Sequence, residues 1–249
     1  MKKRIILIAI MILCSVSGFS QITNISVLNE SDSNGVLTHI NSYYTIRGVV
    51  TTINLDPGRL QFYVQDATGG ILLDKAASSG WYTSKNLAVG SDVTIYGQLI
   101  QYTGSGMPEL TPTAESDITK NGTAALPTPQ TITISDLGDG DHFALRGKLV
   151  RLLNVYKSTA VVDTWPTSGN NANNFIIAVG SVSATPTGIM RIDKDTDVDD
   201  NPEPTWPKDV TAIYIQYDAS SPYTSTYELT PRAISDFIAV TPVRDWAFY

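Results

Sequence analysis

Four aspartates at every second position, Asp193, Asp195, Asp197 and Asp199, lead into Asp200 and Glu203 and form the densest acidic run of the chain. Carboxylates so spaced can converge on a hard cation, which makes calcium the candidate ion. In an EF-hand frame starting at Asp193, however, Val198 stands where glycine is required and Pro204 where the bidentate glutamate belongs. A solvated acidic loop is the other reading. Beyond this run the catalytic inventory is thin. His39 and His142 are the only histidines, and no nucleophile elbow, zinc-binding His pair or phosphate-cradling glycine loop occurs. Acids are plentiful enough for a glycosidase-type carboxylate pair, but their spacing singles out no two of them. The expectation is a protein that binds, with no catalytic residue and no cofactor other than the candidate calcium.

These side chains need a frame, and the frame occurs twice. Ile100-Gln101-Tyr102 leads through a loop to Glu109-Leu110-Thr111-Pro112 and on to Ser116 and Asp117. Ile215-Gln216-Tyr217 leads through a longer loop to Glu228-Leu229-Thr230-Pro231 and on to Ser235 and Asp236. Upstream, Arg47-Gly48 is echoed by Arg146-Gly147 at a comparable separation. Two matched landmarks so far apart argue for a duplicated domain with loop insertions. Arg47 with Glu109, and Arg146 with Glu228, are then expected to form an ion pair tying the first strand to the last in each copy. A ligand role is the alternative, since such pairs contribute only with good geometry.

Each copy reads as five short strands without a long helix. In the first, residues 45–53 are rich in β-branched side chains and lack a helical period. Leu60, Phe62 and Val64 alternate with Gln61, Tyr63 and Gln65, so the first set faces a core and the second faces outward. Thr68-Gly69-Gly70 closes a hairpin onto residues 71–74, and residues 93–99 and 107–111 complete the set. The second copy offers a long strand over 143–155, then 175–179, 188–192, 210–215 and 227–230, with insertions at 159–174, 193–209 and 218–226. Pro127-Thr128-Pro129 marks the join, which divides the mature chain into 21–125 and 126–249. The aromatic tail, 243–249, is expected to pack as a closing segment.

Lys2-Lys3-Arg4, an apolar run from Ile5 to Val16 and the small residues Gly18 and Ser20 describe a secretory signal peptide, residues 1–20. The run is shorter than the ~20 residues a membrane span needs. Leu13 before Cys14 is a poor context for lipidation. The mature chain is therefore expected in the periplasm, at the cell surface or secreted. Cys14 is the only cysteine and leaves with the leader, which excludes disulfides and thiol chemistry from the mature protein. Two packed cores must supply the stability. Seventeen basic residues stand against 24 acidic ones, a net charge of −7, and removing Lys2, Lys3 and Arg4 takes it to −10. That balance disfavours non-specific binding to polyanions.

Three stretches, Ile46-Arg47-Gly48-Val49-Val50, Phe62-Tyr63-Val64-Gln65-Asp66-Ala67-Thr68-Gly69-Gly70-Ile71 and residues 87–97, resemble the OB-fold domains of exported bacterial proteins, often found beside extracellular nuclease domains. The resemblance covers most of 44–118. The second copy follows it through residues 147–155 and then drifts, lacking the Phe-Tyr-Val-Gln-Asp motif. It implies an all-β chain of two tandem five-stranded Greek-key barrels. OB barrels bind across strands two and three and between the loops joining strands one to two and four to five. In the first copy that region holds Arg59, Tyr63, Gln65, Trp81, Tyr82 and Tyr102. Tyr63, if outward, stacks on a base or sugar ring; cross-strand pairing is the other reading.

The resemblance points to single-stranded nucleic acid as the ligand. The acidic balance favours instead a glycan or a surface protein, for which Tyr63, Trp81 and Trp165 suffice without a basic groove. A carboxylate-dependent hydrolase is the third reading.

Overall fold

The computed structural model describes residues 21–159, 164–166 and 173–240. The expected leader, most of the 159–174 insertion and the aromatic tail lie outside the described residues. The first sheet contains β1 (Tyr43–Val50), β2 (Arg59–Gln65), β3 (Gly70–Ala76), β4 (Ser91–Gln101), β5 (Pro108–Thr111) and β6 (Ile118–Thr123). Strand β4 shows how the sequence dictates the wall. Val93, Ile95 and Leu99 are fully buried, whereas Asp92, Thr94 and Tyr96 between them reach outward, the period-two pattern of a strand with one face on a core. The order is β1-β2-β3-β5-β4, closed by antiparallel pairing of β1 with β4, and β3 runs parallel to β5. β6 adds to the edge of β4. Helix α1 (Ile25–Leu28) buries Ile25 and Leu28 in this core, and α2 (Gly80–Ser84) sits between β3 and β4.

The second sheet repeats the plan with β7 (Gln130–Ile132), β8 (Leu149–Lys157), β9 (Asn173–Val179), β10 (Gly188–Ile192), β11 (Lys208–Gln216), β12 (Tyr227–Thr230) and β13 (Phe237–Ala239). The order β8-β9-β10-β12-β11 is closed by β11 with β8, and β10 is parallel to β12. Both barrels thus have the strand order of an OB-fold, a small Greek-key barrel closed on itself. The duplication reaches further than the barrels. The parallel bridge Ile22–Thr45 matches β7 beside β8, and the turn Ile134–Leu137 matches α1. β13 matches β6, each following a short turn in which Asp117 or Asp236 accepts a backbone N–H.

Two expectations are corrected. Phe143–Leu145 is a 3-10 turn, and the first strand of the second barrel starts at Leu149, because Gly147 takes φ +74° and breaks the extended path. The Arg–Glu ion pairs do not form. Arg47 pairs with Asp92 across β1–β4 at 2.6 Å, and that guanidinium holds the carboxyl below its usual range. Arg146 is fully buried and has no carboxylate partner. It donates to Gly106 O (3.3 Å), Asn29 O (3.0 Å) and Ser31 Oγ (2.6 Å), all in the first half of the chain, and stacks over Phe143. Burial draws it down to about 10, which leaves it cationic at neutral pH.

Arg146 is one bond of an extensive joint between the barrels. Leu55, Tyr63, Leu72 and Met107 of the first pack with Leu149 and Ile213 of the second in a separate apolar cluster. Leu149 N donates to Gln65 Oε1 at 2.7 Å and Arg232 Nη1 to Thr51 O at 3.1 Å. Gly70 and Gly147 bring the two backbones into direct contact, so a Cβ on either one would collide with the other's main chain.

Candidate binding cleft between the barrels

Register places Tyr63, Leu72, Glu109 and Ile100 in one row across the outer face of the first barrel. The second barrel covers the Tyr63–Leu72 end of that row. Beside the cover lies an open cleft with room for about 170 Å³, smaller than the ~300–1,000 Å³ typical of drug-sized ligand sites. Gln61 and Glu109 form the first-barrel wall, with Tyr102 and Met107 from around the β4–β5 loop. Arg191 and Asp193 from the end of β10, Gln216 and Tyr217 from the end of β11, and Thr230 of β12 form the second-barrel wall.

The cleft's electrostatics follow from partial burial. Glu109 is 6% exposed, and burial, reinforced by Asp74, pushes its carboxyl up to about 7 against the opposing pull of Arg59. Arg59 itself is committed to Asp74, through Nε to Oδ2 at 3.0 Å and a second short bond, and Gln61 Nε2 reaches the same carboxylate. Burial also raises Asp193, whose Oδ1 accepts Asp195 N. The Arg191 guanidinium lies 5.8 Å from the centre of the Tyr217 ring. Tyr102 and Tyr217, the last residues of the duplicated Ile-Gln-Tyr segment, are 52% and 53% exposed, and both line this one cleft. Two further side chains of the wall, Gln216 and Thr230, are buried with Oε1 and Oγ1 lacking a hydrogen-bond partner.

The sequence-predicted ligand residues are therefore divided. Tyr102 and Tyr63 line the cleft, and Arg59 stands behind its wall through Asp74. Tyr63 is outward from its own barrel, as alternation requires, but only 6% exposed because the second barrel roofs it. It is a joint residue with one edge on the cleft, and burial raises its hydroxyl pKa. Gln65 is 7% exposed and holds Leu149 N, so its role is to dock the barrels. Trp81 packs on the first core. Tyr82 donates to Thr52 O at 3.1 Å, meets Phe62 edge-on, and is pushed up to about 12 by burial, which makes both residues part of the barrel's plug. Trp165 is buried against Phe175 and Phe237.

The aspartate run makes local bonds. Asp193 caps its own turn, Asp195 pairs with Lys194, Asp197 Oδ1 accepts Ile234 N, and Asp199 is buried. Among the described residues no group of three or more His, Cys, Asp or Glu side chains is placed to hold a metal ion. Nor does any helix of the described residues have the length and apolarity to cross a membrane.

Sequence reasoning missed Arg191, Gln216, Tyr217 and Thr230. The signal for Tyr217 was present, since it repeats Tyr102, but nothing local showed that the two copies turn this position toward one another.

No protein-family model matches the chain. Over 134 residues, 52% of the chain, it is 30% identical to Endonuclease YhcR of Bacillus subtilis (strain 168), and the match spans about a tenth of that relative's length, 10%. Among solved structures, a putative aspartyl-tRNA synthetase from Leishmania major Friedlin aligns at 13% identity over 53% of this chain and 26% of that one, with a TM-score of 0.36. The p204 HINb domain aligns at 11% identity over 76% and 93%, also with a TM-score of 0.36. What the chain's own strand order establishes is two closed five-stranded OB-fold barrels, packed face to edge.

Proposed function

We propose that the chain is an exported, non-catalytic binding protein that holds single-stranded nucleic acid at the cleft between its barrels. One observation carries this reading: the duplicated tyrosines, Tyr102 and Tyr217, converge from separate barrels on a single mouth while remaining half exposed. Aromatic platforms of this kind hold successive bases with about 1–3 kcal/mol per base, whatever the sequence. The relative named an endonuclease supports the same ligand class. Phosphate contacts contribute little at the cleft, because its lining holds a single cation and Arg59 behind the wall is engaged by Asp74. Arg191 is the cation left at the mouth. Binding therefore rests on stacking, and its salt dependence is shallow, equivalent to about one or two released counterions.

A glycan is the second reading, favoured by the acceptors Glu109 and Asp193 in the same walls. Titration of the mature protein with labelled single-stranded oligonucleotides at two salt concentrations tests the first reading. Saturable binding with a shallow salt slope, reduced in Tyr217→Ala, is expected. Absence of binding even at low salt, with retention on a glycan panel, sinks it in favour of the second. Strand cleavage lost in Glu109→Gln would overturn the non-catalytic role. Amino-terminal sequencing of the exported protein tests the leader, with a start near Gln21 expected.

A further inference from the structure

The two barrels place a glutamine at the same point, and only one of the two is satisfied. Gln101 accepts Leu37 N at 3.1 Å on Oε1 and donates from Nε2 to Gly35 O and Gly106 O, which completes its bonding. Gln216, 1% exposed, also donates from Nε2 to two carbonyls, Tyr223 O at 2.8 Å and Ser225 O at 3.2 Å. Those two carbonyls fix the amide's orientation, yet its Oε1 has no partner. Thr230 Oγ1, 5% exposed at the residue level, lacks one too, and both residues belong to the cleft wall. Buried polar groups left unpaired are rare and lower stability, so two of them in one wall need a reason. Glu109 stands in the first-barrel wall, where no side chain among the described residues donates to its carboxyl, and Tyr102 and Tyr217 flank the mouth.

Resting on the nucleic-acid reading above, we propose that the cleft selects guanine, whose N1–H and one N2 hydrogen bond the Glu109 carboxylate, leaving the second N2 hydrogen for one of the two unpartnered acceptors, Gln216 Oε1 or Thr230 Oγ1. Guanine alone among the DNA bases offers two neighbouring donors on its pairing edge beside a carbonyl oxygen, and that oxygen meets the Arg191 side of the cleft. Single-stranded recognition commonly reads this edge once the base is stacked on an aromatic ring. A carboxylate accepts both donors only when ionised. The charged groups facing Glu109 are Arg59 and Asp74 from β2 and β3, and Arg191 and Asp193 from the second barrel, with the Tyr63 hydroxyl beside them. Since the carboxyl titrates at about 7, guanine selectivity rises from weakly acidic to weakly basic pH.

The test is fluorescence anisotropy with a short oligothymidine and versions carrying one central guanine, inosine, adenine or cytosine. At about pH 8 the guanine strand is expected to bind roughly tenfold tighter than all the others, inosine included because it lacks the N2 amino group. At about pH 6 that margin shrinks. Glu109→Gln is expected to bring the guanine strand to the thymidine value at both pH values. Thr230→Val, which replaces an unpartnered buried hydroxyl by a methyl, is expected to melt no lower than the parent while losing part of the guanine margin. Equal affinity for all strands overturns the inference and leaves strand binding standing. A guanine margin unchanged in both variants also overturns it. Binding to none of the strands removes the nucleic-acid reading and this inference with it.

Discussion

The two barrels share a strand order, a core and a set of landmark residues, and they differ in what lies against their outer rows. In the first, the row Tyr63–Leu72–Glu109–Ile100 presents its Tyr63 end to the second barrel. In the second, the matching row is Ile176–Ile189–Glu228–Ile215, and only its last member touches the apolar joint. The face with which OB barrels usually bind is thus roofed in the first copy. The second copy lends its β8–β11 edge as the roof. The cleft exists because the duplicated units pack face to edge, so neither barrel alone contains the site. Duplication kept inward positions such as Ile95 and Val210, both fully buried, and freed the outward ones to diverge.

The most damaging way to break this arrangement is at the backbone contact. Gly147→Val places a branched side chain at φ +74° and against Gly70, and should destabilise the protein by about 3 kcal/mol or more, read by thermal melting. A cleft built by the joint must lose its ligand at the same time. Next come the two arginines of the Arg-Gly segments. Arg146→Met strips buried carbonyls of their donor across the joint and is expected to cost about 2 kcal/mol, insensitive to salt. Arg47→Met, in an exposed pair with Asp92 inside β1, should leave the melting temperature within error. Equal effects of the two would contradict the asymmetry.

The same asymmetry carries a dependence on pH. The folded protein holds Glu109 at about 7, above its unfolded value, so burying the charged form costs stability that grows as pH rises through that range and then levels off. Glu109→Gln should therefore raise the melting temperature relative to the parent at about pH 8 and change it little at about pH 4. On the order of 3 kcal/mol separates the two conditions if the whole shift is realised.

Much of the frame was legible from residues alone. Alternation in β2 and β4 and the glycine-closed hairpin before β3 are local signals, and the duplicated Ile-Gln-Tyr and Glu-Leu-Thr-Pro segments carried the repeat. Strands β6 and β13 were not read, because Ile118–Thr123 carries one apolar side chain, Ile118, and Phe237–Ala239 is only three residues long. What failed was everything decided by a distant partner. Tyr63 and Gln65 have the pattern of exposed residues, and only the second barrel makes them buried. Arg47 and Glu109 looked like partners because both recur, yet Arg47 lies inside β1 while Arg146 precedes β8, so the Arg-Gly echo marks neither a common position nor a contact. Asp92 and Asp74 claimed the two first-barrel arginines because they sit across the strand pairs, which short-range patterns do not reveal.

The most direct test is photo-crosslinking of the mature protein to a bromouracil-substituted single strand, with adducts located by peptide mass spectrometry. The face-to-edge account requires adducts at both Tyr102 and Tyr217 in one complex, and loss of both in Gly147→Val. Adducts confined to the exposed, stacked pair Tyr43 and Tyr96 on the β1–β4 face, 5.6 Å apart, would contradict it and place the ligand on a single barrel.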